Sequence, residues 1–107
     1  MIVNLDEIRE IGDMIDIKFL DDFSDWTRII WSLRNAEDNE EMEEVARTIS
    51  KRSKRYTDDG FNDYWSKYNP KTNLRINSFY WYADRSNSKK LISIKTKYIE
   101  NHISWKS

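Results

Sequence analysis

The sequence predicts an all-α protein: 107 residues forming a single domain, folded as a compact bundle of about five to six short helices. Three observations carry that expectation. Charged residues make up 35% and hydrophobic residues 38% of the chain, with only two glycines and one proline. That balance suits helices with polar outer faces and is hard to fit to a turn-rich β-sandwich. Apolar side chains recur at i, i+3, i+4 and i+7, the spacing of one helix face. Asn, Ser, Thr or Asp stands ahead of those segments, where its side chain can accept the unpaired N–H groups of a first helical turn. A chain of this length supports one hydrophobic core, and fifteen aromatic residues, five of them Trp, give it large apolar surfaces to bury.

Asn4 caps a first helix from Leu5 to about Met14, with Asp6 and Glu7 where the helix dipole favours negative charge and Leu5, Ile8, Ile11 and Ile15 as the buried stripe. Asp16 to Phe23 reads as a connection. Ser24 caps a second helix reaching about Asn35, with Trp26, Ile29, Ile30 and Leu33 on one face. Ala36 to Asn39 breaks the pattern. A third helix then runs from Glu40 to about Ser53, with Met42, Val45, Ala46 and Ile49 inside. Thr57 or Asp58 caps a fourth helix through about Tyr68, striped by Phe61, Tyr64, Trp65 and Tyr68. Asn69-Pro70 ends it, because proline cannot continue the hydrogen-bond ladder and disfavours helix in the preceding residue. After a loop to about Arg75, Asn77 or Ser78 caps a short helix carrying Phe79, Tyr80 and Ala83, with Trp81 and Tyr82 on its other sides. A break at Ser86-Asn87-Ser88 precedes a last helix, Lys89 to about Ile103, whose apolar residues form two stripes: Leu91, Ile94, Tyr98 and Ile92, Ile99, Ile103. One stripe is more than an end helix needs, so residues 89–103 are expected to connect to a neighbouring domain.

The absence of Cys excludes disulfides, thiolate metal sites and a cysteine nucleophile. No apolar run reaches the roughly 18 to 20 residues of a membrane span, and the first ten residues are acidic where a signal peptide is basic. These features predict a soluble, intracellular protein with no membrane partner. The one histidine, His102, lies beside Ile103 and Trp105 and reads as structural; no second histidine can complete a triad. The run Glu40, Glu41, Glu43, Glu44 reads as a solvated helix start, not a chelating cluster. Gly12 and Gly60 are the only glycines, so no glycine-rich phosphate cradle exists. The expectation is no catalytic residue, no metal and no cofactor.

A net charge of -1 hides a strong asymmetry. Residues 1–46 hold 4 basic and 14 acidic side chains; residues 47–107 hold 14 basic and 5 acidic ones. The boundary falls inside the third helix, where acidic residues at the start and basic residues at the end complement the dipole without any ligand. Beyond that contribution stand Lys51, Arg52, Lys54, Arg55, Lys67, Lys71 and Arg75, with the ring of Tyr56 among them. Cations interleaved with a stacking ring are what single-stranded nucleic acid requires. These eight residues are the candidate contacts. They form one stripe if the third and fourth helices pack antiparallel, and two patches otherwise.

Four blocks extend the reading to a family. Asp22-Phe23-Ser24-Asp25-Trp26 with Ile30-Trp31-Ser32-Leu33-Arg34-Asn35, then Ile49-Ser50-Lys51-Arg52-Ser53-Lys54-Arg55-Tyr56, then Tyr64-Trp65-Ser66-Lys67-Tyr68, and Ile76-Asn77-Ser78-Phe79-Tyr80-Trp81-Tyr82-Ala83 together resemble the second type of primase C-terminal domain. The likeness covers about residues 16–87. It departs from the family's pattern at Arg47-Thr48-Ile49, where many relatives carry another aromatic residue. The resemblance implies a non-catalytic helical accessory domain of a viral, phage or plasmid primase-helicase, acting where that DNA is replicated. It implies single-stranded DNA and the adjoining primase and helicase domains as partners. Trp26, Trp65 and Ala83 are expected in the core. An alternative reading is a protein-interaction module that docks on the primase or helicase domain without touching nucleic acid. A third is nucleotide binding at the basic cluster.

Overall fold

Short polar side chains start most of the helices of this protein, as the sequence predicts. The structure, a computed structural model, describes the backbone of residues 3–104 and the side chains of residues 3–99, so the side chains of His102 and Ile103, and Trp105 altogether, lie outside the described residues. The helices are α1 (Leu5–Met14), α2 (Ile17–Asp21), α3 (Phe23–Ala36), α4 (Glu40–Ser50), α5 (Asp58–Ser66) and α6 (Ile76–Ser104), with a 3₁₀ turn at Pro70–Thr72. No strand occurs among the described residues. Asn4 Oδ1 accepts the N–H groups of Asp6 and Glu7, Asn39 Oδ1 that of Met42 and Thr57 Oγ1 that of Gly60, each satisfying a donor that the helix leaves unpaired.

Several boundaries differ from the sequence expectation: α5 ends at Ser66 and not near Tyr68, α6 begins at Ile76 so that neither Asn77 nor Ser78 caps it, and three further differences have visible causes. The stretch expected as a connection contains α2, capped by Asp16 and held by buried Leu20. Five residues are too few to display a helical period, so packing makes this helix and not a pattern. The cap of α3 is Asp22, which accepts from Asp25 N at 2.9 Å, and not Ser24. Finally, α4 stops at Ser50 and not near Ser53, because Ser53 turns inward to donate to Asp21 Oδ1 at 2.5 Å and the chain continues in single turns to Tyr56.

The core lies among α1, α3, α4 and α6. Helices α1 and α3 both pack on α6, α4 covers α1 and α3, and α2 and α5 lie against α3. Ile8, Ile11, Ile15, Ile29, Ile30, Leu33, Met42, Val45, Ala46 and Ile49 from the predicted stripes are all buried. Phe79, Tyr82 and Ala83 of α6 complete this core. At Gly12, α1 packs directly on α4: a Cβ there would overlap Ile49 Cδ1 and stand 2.5 Å from Cγ1.

The expected break near Ser86-Asn87-Ser88 is present as a kink. Asn87 has extended backbone, φ -165 and ψ 94, inside α6, and its side chain caps the second half by accepting from Lys90 N at 3.0 Å. Ser86 Oγ ties this point to the α1–α2 link by accepting from Asp16 N at 2.7 Å. Beyond the kink, Leu91 and Ile94 are buried, while Ile92 and Ile99 are 62% and 55% exposed. Of the two apolar stripes, one packs against the body and the described residues of the other, Ile92 and Ile99, face out.

Candidate nucleic-acid interface

The turn between α4 and α5 carries most of the cations nominated by the sequence, and the fold uses them unequally. Lys51, Lys54 and Arg55 are exposed and make no ion pair among the described residues. Arg52 instead reaches back across the core edge, where its Nη1 donates to the Gly12 carbonyl at 2.6 Å. No basic residue stands in the last turn of α1, so Arg52 supplies the positive charge that a helix C-terminus favours. Tyr56 is also engaged. Its hydroxyl accepts from Arg47 Nη1 at 3.0 Å and donates to Asp58 Oδ1 at 2.5 Å. Desolvation, followed by Asp58, holds this phenol above its usual range. The ring lies 6.4 Å from Phe61 and is half-buried.

The second cluster follows α5. Lys67 is paired with Asp63 at 3.0 Å and lies over the Tyr64 ring at 4.7 Å, and the Asp63 hydrogen bond raises its pKa. Lys71, in the 3₁₀ turn, and Arg75, just before α6, are exposed and form no ion pair among the described residues. A nine-residue helix is about 14 Å long, and α5 lies between the two clusters in the chain. Its outer side presents Asp58, Asp59 and Asp63, all exposed. The cations therefore form two patches with carboxylates between them along α5.

Phe23, which the sequence places in a connection, and Trp26 and Tyr64, which it places on buried stripes, make a different connection together with Tyr56. A pocket of about 240 Å³ opens between the start of α3, the α4–α5 turn and α5; Phe23, Trp26, Tyr56 and Tyr64 line it, and Arg55 stands at its rim. A second groove runs beside α3, lined by Phe23, Thr27, Arg28, Trp31, Thr72 and Leu74. Phe23 belongs to both and is 53% exposed. Its ring packs edge-on against Tyr64 at 4.7 Å and tilted against Trp26 at 6.2 Å. From the sequence, Phe23 belongs to the connection before this helix. As the first residue of α3 it projects past the layer that would cover it, and only its position at the helix end signals this.

Elsewhere the basic half is neutralised only in part: Arg85, Lys89 and Lys90 are exposed and form no ion pair among the described residues. Lys95 and Lys97 of α6 meet Glu7 and Glu10 of α1 at 3.6 and 2.5 Å, and Lys97 holds the Glu10 carboxyl below the usual range. The Glu10 carboxylate in turn pushes the Tyr98 phenol up to about 12. Lys89 and Lys90 border a groove that contains Glu10 and Asp13. Among the described residues no group of His, Asp and Glu side chains could hold a metal ion, and no helix is long and apolar enough to cross a membrane.

The four sequence blocks are joined to one another through α3. Trp26 Nε1 donates to Ser50 Oγ at 2.8 Å, linking the first block to the second. Trp31 Nε1 donates to the Tyr64 carbonyl at 2.8 Å, Arg34 donates to the Trp65 carbonyl, and Tyr68 donates to Asn35 Oδ1 at 2.6 Å, linking the first to the third. Tyr82 donates to Asp25 Oδ1 at 2.8 Å, linking the first to the fourth. Trp65 and Ala83 are buried and Trp26 is half-buried, so the pattern of the blocks is first a packing pattern. No curated protein and no solved structure matches the chain. Residues 8–83 match the family described as Primase C terminal 2 (PriCT-2). That match takes in the buried face of α1 as well as the four blocks and ends just before the kink at Asn87, so the chain belongs to the Primase C terminal 2 family and is a primase-associated C-terminal domain.

Proposed function

We propose that this domain binds single-stranded DNA template for a viral or plasmid primase-helicase, without catalysing a reaction itself, and so helps couple priming to unwinding. One observation carries the reading. The fold pairs Arg9, Arg34, Arg47, Lys67, Lys95 and Lys97 with its own carboxylates, yet leaves Lys51, Lys54, Arg55, Lys71 and Arg75 exposed and without an ion pair among the described residues, with Arg55 lining the aromatic pocket and Lys71 and Arg75 adjoining the groove residues Thr72 and Leu74 in the chain. Five cations neutralising five phosphates of a single strand give a slope of log affinity against log salt of about -3.5. Fluorescence anisotropy with a labelled single-stranded oligonucleotide, titrated at several salt concentrations, measures it. Undetectable binding at low salt, or binding unchanged when Lys51, Lys54 and Arg55 are all replaced by Glu, refutes the proposal. Arg52 is left intact in that variant because it holds α1.

A second reading rests on the outward stripe of α6. Trp81, Ile92 and Ile99 are each at least half exposed, and Ile92 and Ile99, seven residues apart, share one helix face. In this reading the face docks on the adjoining primase or helicase domain. Replacing Ile92 and Ile99 by Lys then abolishes co-purification with that domain and leaves oligonucleotide affinity unchanged.

A further inference from the structure

The two basic patches are separated by acidic residues along α5, but a second route between them crosses the start of α3. The pocket that has Arg55 at its rim and the groove that reaches Thr72 and Leu74 share one side chain, Phe23. Thr72 and Leu74 adjoin Lys71 and Arg75 in the chain. From patch to patch this route passes Tyr64, Trp26, Phe23 and Trp31, all within one aromatic cluster or beside it. Asp21 lines the pocket and Asp22 caps α3 next to Phe23. Their charge repels phosphate from beside Phe23 itself, while Arg55 attracts it on one side and Arg28 in the groove, with Lys71 and Arg75 beyond it, attracts it on the other.

A ligand that suits this arrangement has apolar, planar groups in its middle and negative charge on both sides. A single strand with bases turned toward the protein fits it. We infer that Phe23 is a base-stacking platform at the centre of a track running from Arg55 to Lys71 and Arg75, and that Tyr56, held by Arg47 and Asp58, is a wall of the pocket. This rests on the proposal that the domain binds single-stranded nucleic acid. It adds which face is used and which ring meets the bases.

The test is a cycle using Phe23→Ala and two probes, a labelled short oligothymidylate and the same backbone made abasic. Base–aromatic stacking removed by alanine reduces affinity by about 5- to 150-fold per base. The expected result is a loss of that size for Phe23→Ala on oligothymidylate, an unchanged salt slope, and no difference between variant and wild type on the abasic strand. Phe23→Tyr restores binding and Phe23→Leu, which keeps apolar bulk without a ring, does not. Unfolding midpoints measured alongside confirm that each variant is folded. Equal weakening on both probes, or recovery with Leu, means that Phe23 only shapes the pocket and overturns the inference. Wild-type binding that responds to the Lys51, Lys54 and Arg55 charge reversal but not to Phe23→Ala overturns the track alone. Failure of the wild type to bind either strand overturns the underlying proposal as well.

Discussion

Replacing Arg52 by Ala separates a cation that supports the fold from cations that are available for a ligand. Its Nη1 donates to the Gly12 carbonyl at 2.6 Å, and a hydrogen bond from a charged donor contributes about 1.5–3 kcal/mol. The Gly12 carbonyl keeps a longer bond from Ile15 N at 3.4 Å, and Arg52 is only half-buried, so the lower end applies. Removing the positive charge from the C-terminus of α1 costs a further ~0.3–1 kcal/mol. The expected loss is about 2 kcal/mol, a fall in Tm of roughly 8–16 °C for a domain near this size. Urea unfolding followed by circular dichroism measures it, with Lys54→Ala and Arg55→Ala as comparisons expected within about 0.5 kcal/mol of wild type. An Arg52→Ala variant within about 0.5 kcal/mol of wild type refutes the assignment. So does a drop of equal size in the two comparison variants.

Three further outcomes follow from the packing and the charges. Gly12→Ala places a methyl group against buried Ile49; overpacking of ~1–3 kcal/mol outweighs a gain in helix propensity of about 1 kcal/mol, and adding Ile49→Ala makes the double variant more stable than the two single losses predict by sum. Strict additivity in chemical denaturation excludes the contact. Thr57→Ala removes the cap of α5 and costs about 1 kcal/mol, whereas Thr57→Ser stays within a few tenths of wild type in the same assay. The Tyr98 phenol is held up at about 12 by Glu10, so the folded state keeps this proton after the unfolded chain releases it near pH 10. The stability it contributes is complete below pH 10 and is lost as pH rises toward 12. In Tyr98→Phe the alkaline decline in unfolding free energy is shallower, and identical profiles contradict the assignment.

The buried faces of α1, α3 and α4 were legible because each helix repeats its apolar positions over two turns or more, and the side chains at those positions are buried. The blocks that identify the family were legible for a related reason: they hold the residues that join α3 to its neighbours, and packing of that kind constrains spacing along the chain. Helix α2 was not legible, since a five-residue helix shows no period and depends on contacts such as Phe19 with Tyr82. Among the candidate contacts, the exposure of Lys51, Lys54, Arg55, Lys71 and Arg75 could be read from polarity alone. The roles of Arg52 and Tyr56 could not, because their partners Gly12 and Arg47 are defined only by the folded arrangement. The prominence of Phe23 was hidden because its place ahead of Ser24 reads as a connection, whereas it is the first residue of α3.

At Asn87 the helical geometry of α6 is interrupted, and the two sides of that residue are secured by different forces. Upstream, Phe79, Tyr82 and Ala83 sit inside the core and cannot leave without unfolding it. Downstream, Leu91 and Ile94 lie at the edge of the core, and the lysines that pair with α1 are half exposed. Amide protons of the two segments therefore exchange by separate openings. The upstream set follows global unfolding. The downstream set exchanges sooner, and it does so faster still as added salt screens the pairs that tether it.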